Sequence, residues 1–164
     1  MKNLMLILIM FFVFISKNIK SENTVEYITK GSDTTDIKSF KLSNGSEFST
    51  FESKGSWTDN FGNYGKNLCK GVIDKGKNNN VSLIVMCEST DKNGYKTWAL
   101  NKRDGEFVGG VGANEIVDTT IPKKNLYIGT KCKFAIKYLD EMNFYKNKCK
   151  ISKELAEVFE KISR

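Results

Sequence analysis

Four cysteines, at positions 69, 87, 132 and 149, constrain this chain more than any other feature. Cys69 and Cys87 are equidistant from Asn78, the middle of the polar run Gly76-Lys77-Asn78-Asn79-Asn80. Cys132 and Cys149 are equidistant from the Asp140-Glu141 junction. If each segment folds about its turn, each cysteine lands opposite its mate, which gives two hairpins, each carrying a disulfide. Four cysteines allow three connectivities, and the symmetry selects 69–87 with 132–149. Each bridge stabilises by roughly 3 kcal/mol on the chain-entropy model. Such bridges point to an oxidising compartment.

The residues between the cysteines pass the same test. About Asn78, Gly71 pairs with Val85 and Ile73 with Leu83, an uncharged face that reads as core, while Lys70 and Glu88 fall among Leu68, Val72, Ile84 and Met86 on the other. About Asp140-Glu141, Phe134 pairs with Asn147 and Ile136 with Tyr145. The alternate positions carry Lys131, Lys133, Lys137, Lys146 and Lys148, broken by Ala135 and Phe144. Alternation of this kind marks antiparallel strands with one packed and one wet face.

Further strands follow from the same pattern. Residues 24–30 form a first strand, and Gly31 to Asp36 read as a connection. Asn44-Gly45 suggests a two-residue hairpin loop. A three-residue loop with Gly45 in the left-handed conformation instead pairs Phe40 with Phe48 and gathers Phe40, Leu42, Phe48 and Thr50 on one face. The three-residue register is the expectation. Tyr95 to Leu100 and Glu106 to Ile116 are strand candidates between the disulfide hairpins. The tail changes period: Ile151, Leu155, Val158, Phe159 and Ile162 recur at spacings of three and four behind a capping Ser152. The expected architecture is a mainly β, single antiparallel barrel or sandwich. Its C-terminal amphipathic helix serves as a lid, and two hairpin disulfides staple it.

The N-terminus fits the oxidising address. Lys2 precedes twelve apolar residues, Leu4 to Ile15, and Ser16-Lys17-Asn18 turns polar. A charged start, a short apolar run and a polar exit are the parts of a secretory signal, and twelve residues fall short of the roughly 20 that cross a bilayer. Residues 1–21 are therefore read as a signal peptide, leaving 22–164 as one secreted or periplasmic domain without a stable membrane span. Removing Lys2, Lys17 and Lys20 lowers the formal charge from +7 to +4. That mild basicity is lysine rather than arginine, with only Arg103 and Arg164, so the planar fork that reads phosphate is scarce and no nucleic-acid partner is expected.

Chemistry is harder to find. The chain has no histidine, which excludes His-based triads and His-ligated metals. The cysteine gaps do not suit zinc, so no metal site and no cofactor is expected. The loop from Gly55 to Gly65 interleaves aromatics with Asp59, Asn60 and Asn63, and aromatic faces with a few polar groups are what small-ligand sites use. Trp57, Asp59, Tyr64 and Trp98 are the candidate ligand-binding residues, set against a reading in which the loop aromatics plug the end of the core. Asp59, Asn60 and Asn63 carry oxygens suited to calcium but match no recognised loop. Glu88, Asp91, Asp104, Glu106 and Asp118 are carboxylates that spacing alone does not pair as acid and base.

The run Gly105 to Gly112 lacks the Gly-Lys-Ser/Thr ending of a phosphate loop and reads as bulges or sharp bends where a barrel turns its corner. Its pattern, Gly105-x-Phe107-x-Gly109-x-x-Gly112, resembles the G-x-F/Y-x-G-x-x-G run of allene oxide cyclases and plant dirigent proteins, and of uncharacterised secreted bacterial proteins similar to them. The resemblance implies an eight-stranded antiparallel barrel. It carries over no catalytic position, and the paired cysteines and C-terminal helix depart from that pattern. The functional expectation is a non-enzymatic module that binds a small ligand or an envelope component. The alternatives are an isomerase or cyclase with a carboxylate and tyrosine site inside the barrel, and an inhibitor or surface interaction protein. A polar internal cavity favours the first two, a side-chain-filled barrel the third.

Overall fold

The computed structural model describes residues 23–106 and 109–164. The segment read as a signal peptide and Phe107 of the glycine-rich motif lie outside them. Eight antiparallel strands close into a barrel in chain order: β1 (Thr24–Lys41), β2 (Glu47–Asp59), β3 (Tyr64–Lys75), β4 (Val81–Asp91), β5 (Lys96–Gly105), β6 (Gly109–Thr119), β7 (Lys131–Leu139) and β8 (Met142–Ser152). A 3-10 turn at Lys124–Leu126 and a C-terminal helix, α1 (Lys153–Ser163), complete the molecule. The barrel replaces the sandwich alternative. Among the described residues closure leaves no edge strand, and the long β1 makes it: Thr24–Thr34 pair with β8 while Thr29–Lys41 pair with β2.

Long β1 also corrects the expected connection at Gly31–Asp36, which is strand throughout. Its polar composition, Gly-Ser-Asp-Thr-Thr-Asp, is that of a connection. In the barrel Gly31–Thr34 pair with β2 on one side and β8 on the other, Thr35 and Asp36 continue the β2 pairing, and the inward ones face a polar layer. The Gly45 hairpin follows the three-residue register: Phe40 lies opposite Phe48, and Gly45 takes φ 85°. The face that gathers Phe40 and Leu42 is the outer wall, where both are exposed.

Both disulfide hairpins have the anticipated register. Cys69 faces Cys87 and Cys132 faces Cys149, with Cα–Cα distances of 4.0 and 4.3 Å and both bridges formed. Each bridge anchors one of two apolar clusters. Near one end, Phe51, Ile73, Val81, Leu83 and Val85 pack around Cys69. Near the other, Tyr27, Ile116, Ile121 and Tyr127 pack around Cys132 and Cys149 and meet Leu155, Ala156 and Phe159 of the helix.

The helix begins where expected, with Ser152 Oγ accepting from Leu155 N at 3.2 Å. Ile151, counted in the helical stripe, instead ends β8 and is buried as an inward strand residue. Phe159 stacks on Tyr27 with centroids 4.6 Å apart and meets Tyr127 edge-on at 5.3 Å, so the helix stoppers this end of the barrel. Gly105 ends β5 and Gly109 begins β6. Gly105, Gly109 and Gly110 take φ of 144°, 147° and 150°, as a sharp bend requires, and a register shift of the pair lies beside Trp98–Ala99, where Val117 has no partner.

Candidate functional site

Between the two apolar clusters the inward positions turn polar. Alternation along β1 points Thr29, Asp33 and Thr35 inward, and the neighbouring strands add Ser53, Asn67, Ser89, Asn101, Asn114, Tyr145 and Asn147. All of these but Thr35 line a cavity of about 140 Å³, whose wall also includes Trp57, Arg103 and Asn143 and apolar residues of both clusters, among them Phe51, Leu83, Tyr127 and Phe159. Eight strands give an interior just wide enough for side chains or one small ligand.

Asp33 is the centre of the layer, only 4% exposed. Its Oδ2 accepts from Ser53 Oγ at 3.1 Å, and its Oδ1 packs on Gly55, where a Cβ would collide with it. Burial pushes the carboxyl above the ordinary 3.8, and hydrogen bonds from Ser53 and Asn67 pull it partly back. Tyr145 lies over Gly31, another position where a Cβ would strike it, so the missing side chain makes room for the phenol. Asn67 Nδ2 donates to the Tyr145 hydroxyl, and Ser89 Oγ donates to Asn67 Oδ1 at 2.6 Å. Burial raises the phenol's pKa, the Asp33 charge adds to the rise, and the Asn67 bond opposes it. At neutral pH Tyr145 is therefore a neutral hydroxyl facing the same space as a carboxyl group.

A second network crosses the layer: Asn114 Nδ2 donates to Asn147 Oδ1 at 3.2 Å, and Asn147 Nδ2 to Thr29 Oγ1 at 3.0 Å. Toward the end away from the helix, buried Arg103 donates through Nη1 to the carbonyls of Glu106 and Gly109 at 2.5 and 2.7 Å. Tyr138, its phenol raised by burial, is hydrogen-bonded to the same guanidinium.

Buried polar atoms are nearly always hydrogen-bonded, so exceptions are informative. Among the described residues seven buried side-chain atoms lack a partner in the protein: Asp33 Oδ1, Trp57 Nε1, Asn63 Oδ1, Asp91 Oδ2, Arg103 Nε, Asn114 Oδ1 and Asn143 Oδ1. Each belongs to a residue that lines this one cavity. They are spread along the interior, from Asn63 beside Phe159 at the helix end to Arg103 and Asn143 toward the other.

The four residues singled out from the sequence are divided by the barrel wall. Trp57 and Asp59 line the cavity. Asp59 holds its turn together, Oδ1 accepting from Phe61 N and Asn63 N, each at 2.9 Å, and Oδ2 from Asn63 Nδ2 at 3.0 Å. Tyr64 is exposed on the outside, with Lys92 Nζ 5.8 Å from its ring centroid. Trp98 also stands on the outer wall and donates through Nε1 to Glu88 Oε2 at 3.0 Å. Of the carboxylates considered, Asp91 reaches the cavity and Glu88 bridges Lys96 outside at 2.8 Å. The sequence reading missed Asp33 because it assigned that segment to a connection. Extending the alternation onward from Tyr27 through Thr29 points Asp33 inward.

No family model and no curated protein matches the chain. The motif resemblance to allene oxide cyclase and dirigent barrels therefore stands on its few residues. Among solved structures, the chain is similar to the crystal structure of a conserved protein of unknown function from Rhodopseudomonas palustris, at TM-score 0.60 and 10% identity. The match covers 78% of this chain and 97% of the other, and at that identity the likeness is one of fold.

Proposed function

We propose that this protein is a secreted, non-enzymatic binding module that holds a small polar molecule inside its barrel. The observation that carries this reading is the gathering of seven unpartnered buried polar atoms around one cavity. Each unpaired group costs about 1–3 kcal/mol, and a ligand or ordered water that satisfies them recovers that cost. The cavity, about 140 Å³, is close to the roughly 150 Å³ that admits a benzene-sized molecule and well below a drug-sized pocket. Two disulfides are compatible with an extracellular or periplasmic location, which accords with residues 1–21 acting as a cleaved signal. Native mass spectrometry of the oxidised protein, purified from the secretory route, tests the reading. The expected result is a chain starting near Glu22 with a small non-covalent adduct that is lost on collisional activation. Protein of bare mass that also fails to bind in a screen of small polar compounds would sink the proposal.

The meeting of a buried carboxyl group with a neutral phenol in one cavity supports a second reading, an isomerase or cyclase. Asp33 would take a proton from a bound carbonyl compound and Tyr145 would donate to its oxygen. Incorporation of solvent deuterium into a recovered ligand, lost in Asp33→Asn, distinguishes this reading from binding alone.

A further inference from the structure

We infer that the barrel takes a small organic cation rich in hydrogen-bond donors, with its positive group seated on Asp33 Oδ1. This rests on the binding reading above and names the class of ligand. The unpartnered atoms are unequal in kind. Asp33 Oδ1, Asn63 Oδ1, Asp91 Oδ2, Asn114 Oδ1 and Asn143 Oδ1 are acceptors, whereas only Trp57 Nε1 and Arg103 Nε are donors. An acceptor-rich ligand or an anion would leave the acceptors it meets unsatisfied, and one supplying N–H groups would pair with those within its reach, Asp33 Oδ1 first.

Charge points the same way. The side chains that donate to Asp33, Ser53 and Asn67, are neutral, so neither supplies a counter-charge to a carboxyl group that is 4% exposed. An ionised carboxylate out of water is costly unless it meets a cation. Arg103 is the buried cation of the interior, yet its Nη1 is committed to the Glu106 and Gly109 carbonyls at the β5–β6 connection. An ammonium or amidinium group on Asp33 Oδ1 makes a charge-assisted hydrogen bond where little water competes. The cavity volume limits the whole molecule to about six to eight non-hydrogen atoms, by comparison with the benzene-sized case.

The test uses three probes of matched length: 1,4-diaminobutane, 1,4-butanediol and succinate, titrated calorimetrically into oxidised protein at physiological salt, where exposed carboxylates are screened. The diamine should bind about tenfold or more tighter than the diol, the margin of a charge-assisted over a neutral hydrogen bond, and succinate should not bind. Asp33→Asn should bring the diamine down to the level of the diol. If that variant does not fold, the diamine-to-diol ratio of the native protein decides alone. A diol or succinate bound as tightly as the diamine, or a diamine affinity unchanged in folded Asp33→Asn, overturns the cation assignment and leaves the binding reading standing. Failure of all three probes, with a bare mass in native spectrometry, overturns both.

Discussion

Trp57 shows how one residue can serve both packing and the cavity. Its cross-strand partners on either side are Gly31 and Gly65, so the indole lies where its neighbours have no side chains. The ring is 9% exposed, while its Nε1 has no partner in the protein. Truncating a buried aromatic costs about 3–5 kcal/mol, and the cost rises with the space left behind. Trp57→Ala should fall at the lower end, about 3 kcal/mol, because the ring already borders open space on one side. Urea unfolding measures this; a variant within 1 kcal/mol of the native protein would show that the indole rims a site without supporting the core.

At the scale of elements, each disulfide staples the strand pair on which one apolar cluster is built. Cys69–Cys87 joins β3 to β4, and Cys132–Cys149 joins β7 to β8 beside the helix. The chain-entropy model assigns about 3 kcal/mol to each, since the sequence separations are 18 and 17. The two differ in what they support. Loss of Cys132–Cys149 loosens the wall on which Phe159 and Leu155 dock, whereas loss of Cys69–Cys87 leaves the helix contacts in place. Replacing Cys132 and Cys149 by alanine should therefore lower stability by about 3 kcal/mol and also expose helix α1. Hydrogen exchange checks this: the helix amides should exchange markedly faster in that variant than in the Cys69/Cys87 double alanine. Equal helix protection in the two variants would disprove the division of labour.

For the molecule as a whole, charge is arranged asymmetrically. Lys131, Lys133 and Lys137 of β7, Lys146 and Lys148 of β8, and Lys30 of β1 are all exposed on one wall. Lys133 faces Lys148 and Lys30 faces Lys146, like-charge pairs that oppose folding slightly. Glu26 bridges Lys148 at 3.3 Å, and Glu115 lies opposite Lys131, so the field is diluted. Over residues 22–164 the formal charge is +4, mild enough that this wall should behave as a solvated surface. The protein should elute from heparin early, close to a composition-matched control. Strong retention, abolished by Lys→Glu changes at 133, 137 and 148, would make the wall a docking surface for polyanions.

The sequence by itself determined what depends on local period and turn chemistry. Two hairpins follow from cysteine symmetry about their turns, the Phe40–Phe48 register from the left-handed Gly45, and the lid from the stripe around Leu155 and Phe159. These features are written within spans of about twenty residues, where strand and helix geometry leave little choice. Only the tertiary structure decided which strands met to close the barrel, and therefore that β1 runs unbroken through Gly31–Asp36. The site was hidden for the same reason. Asp33, Asn67, Asn114 and Tyr145 come from β1, β3, β6 and β8, and each looks like an ordinary polar strand residue on its own. Closure makes their inward faces a single polar layer, because an eight-stranded wall brings every inward side chain toward one axis. Aromatics conspicuous in the sequence, Tyr64 and Trp98, were carried outside by the same alternation. Strand phase decides inside from outside, and phase gathers a polar interior only once the sheet has closed on itself.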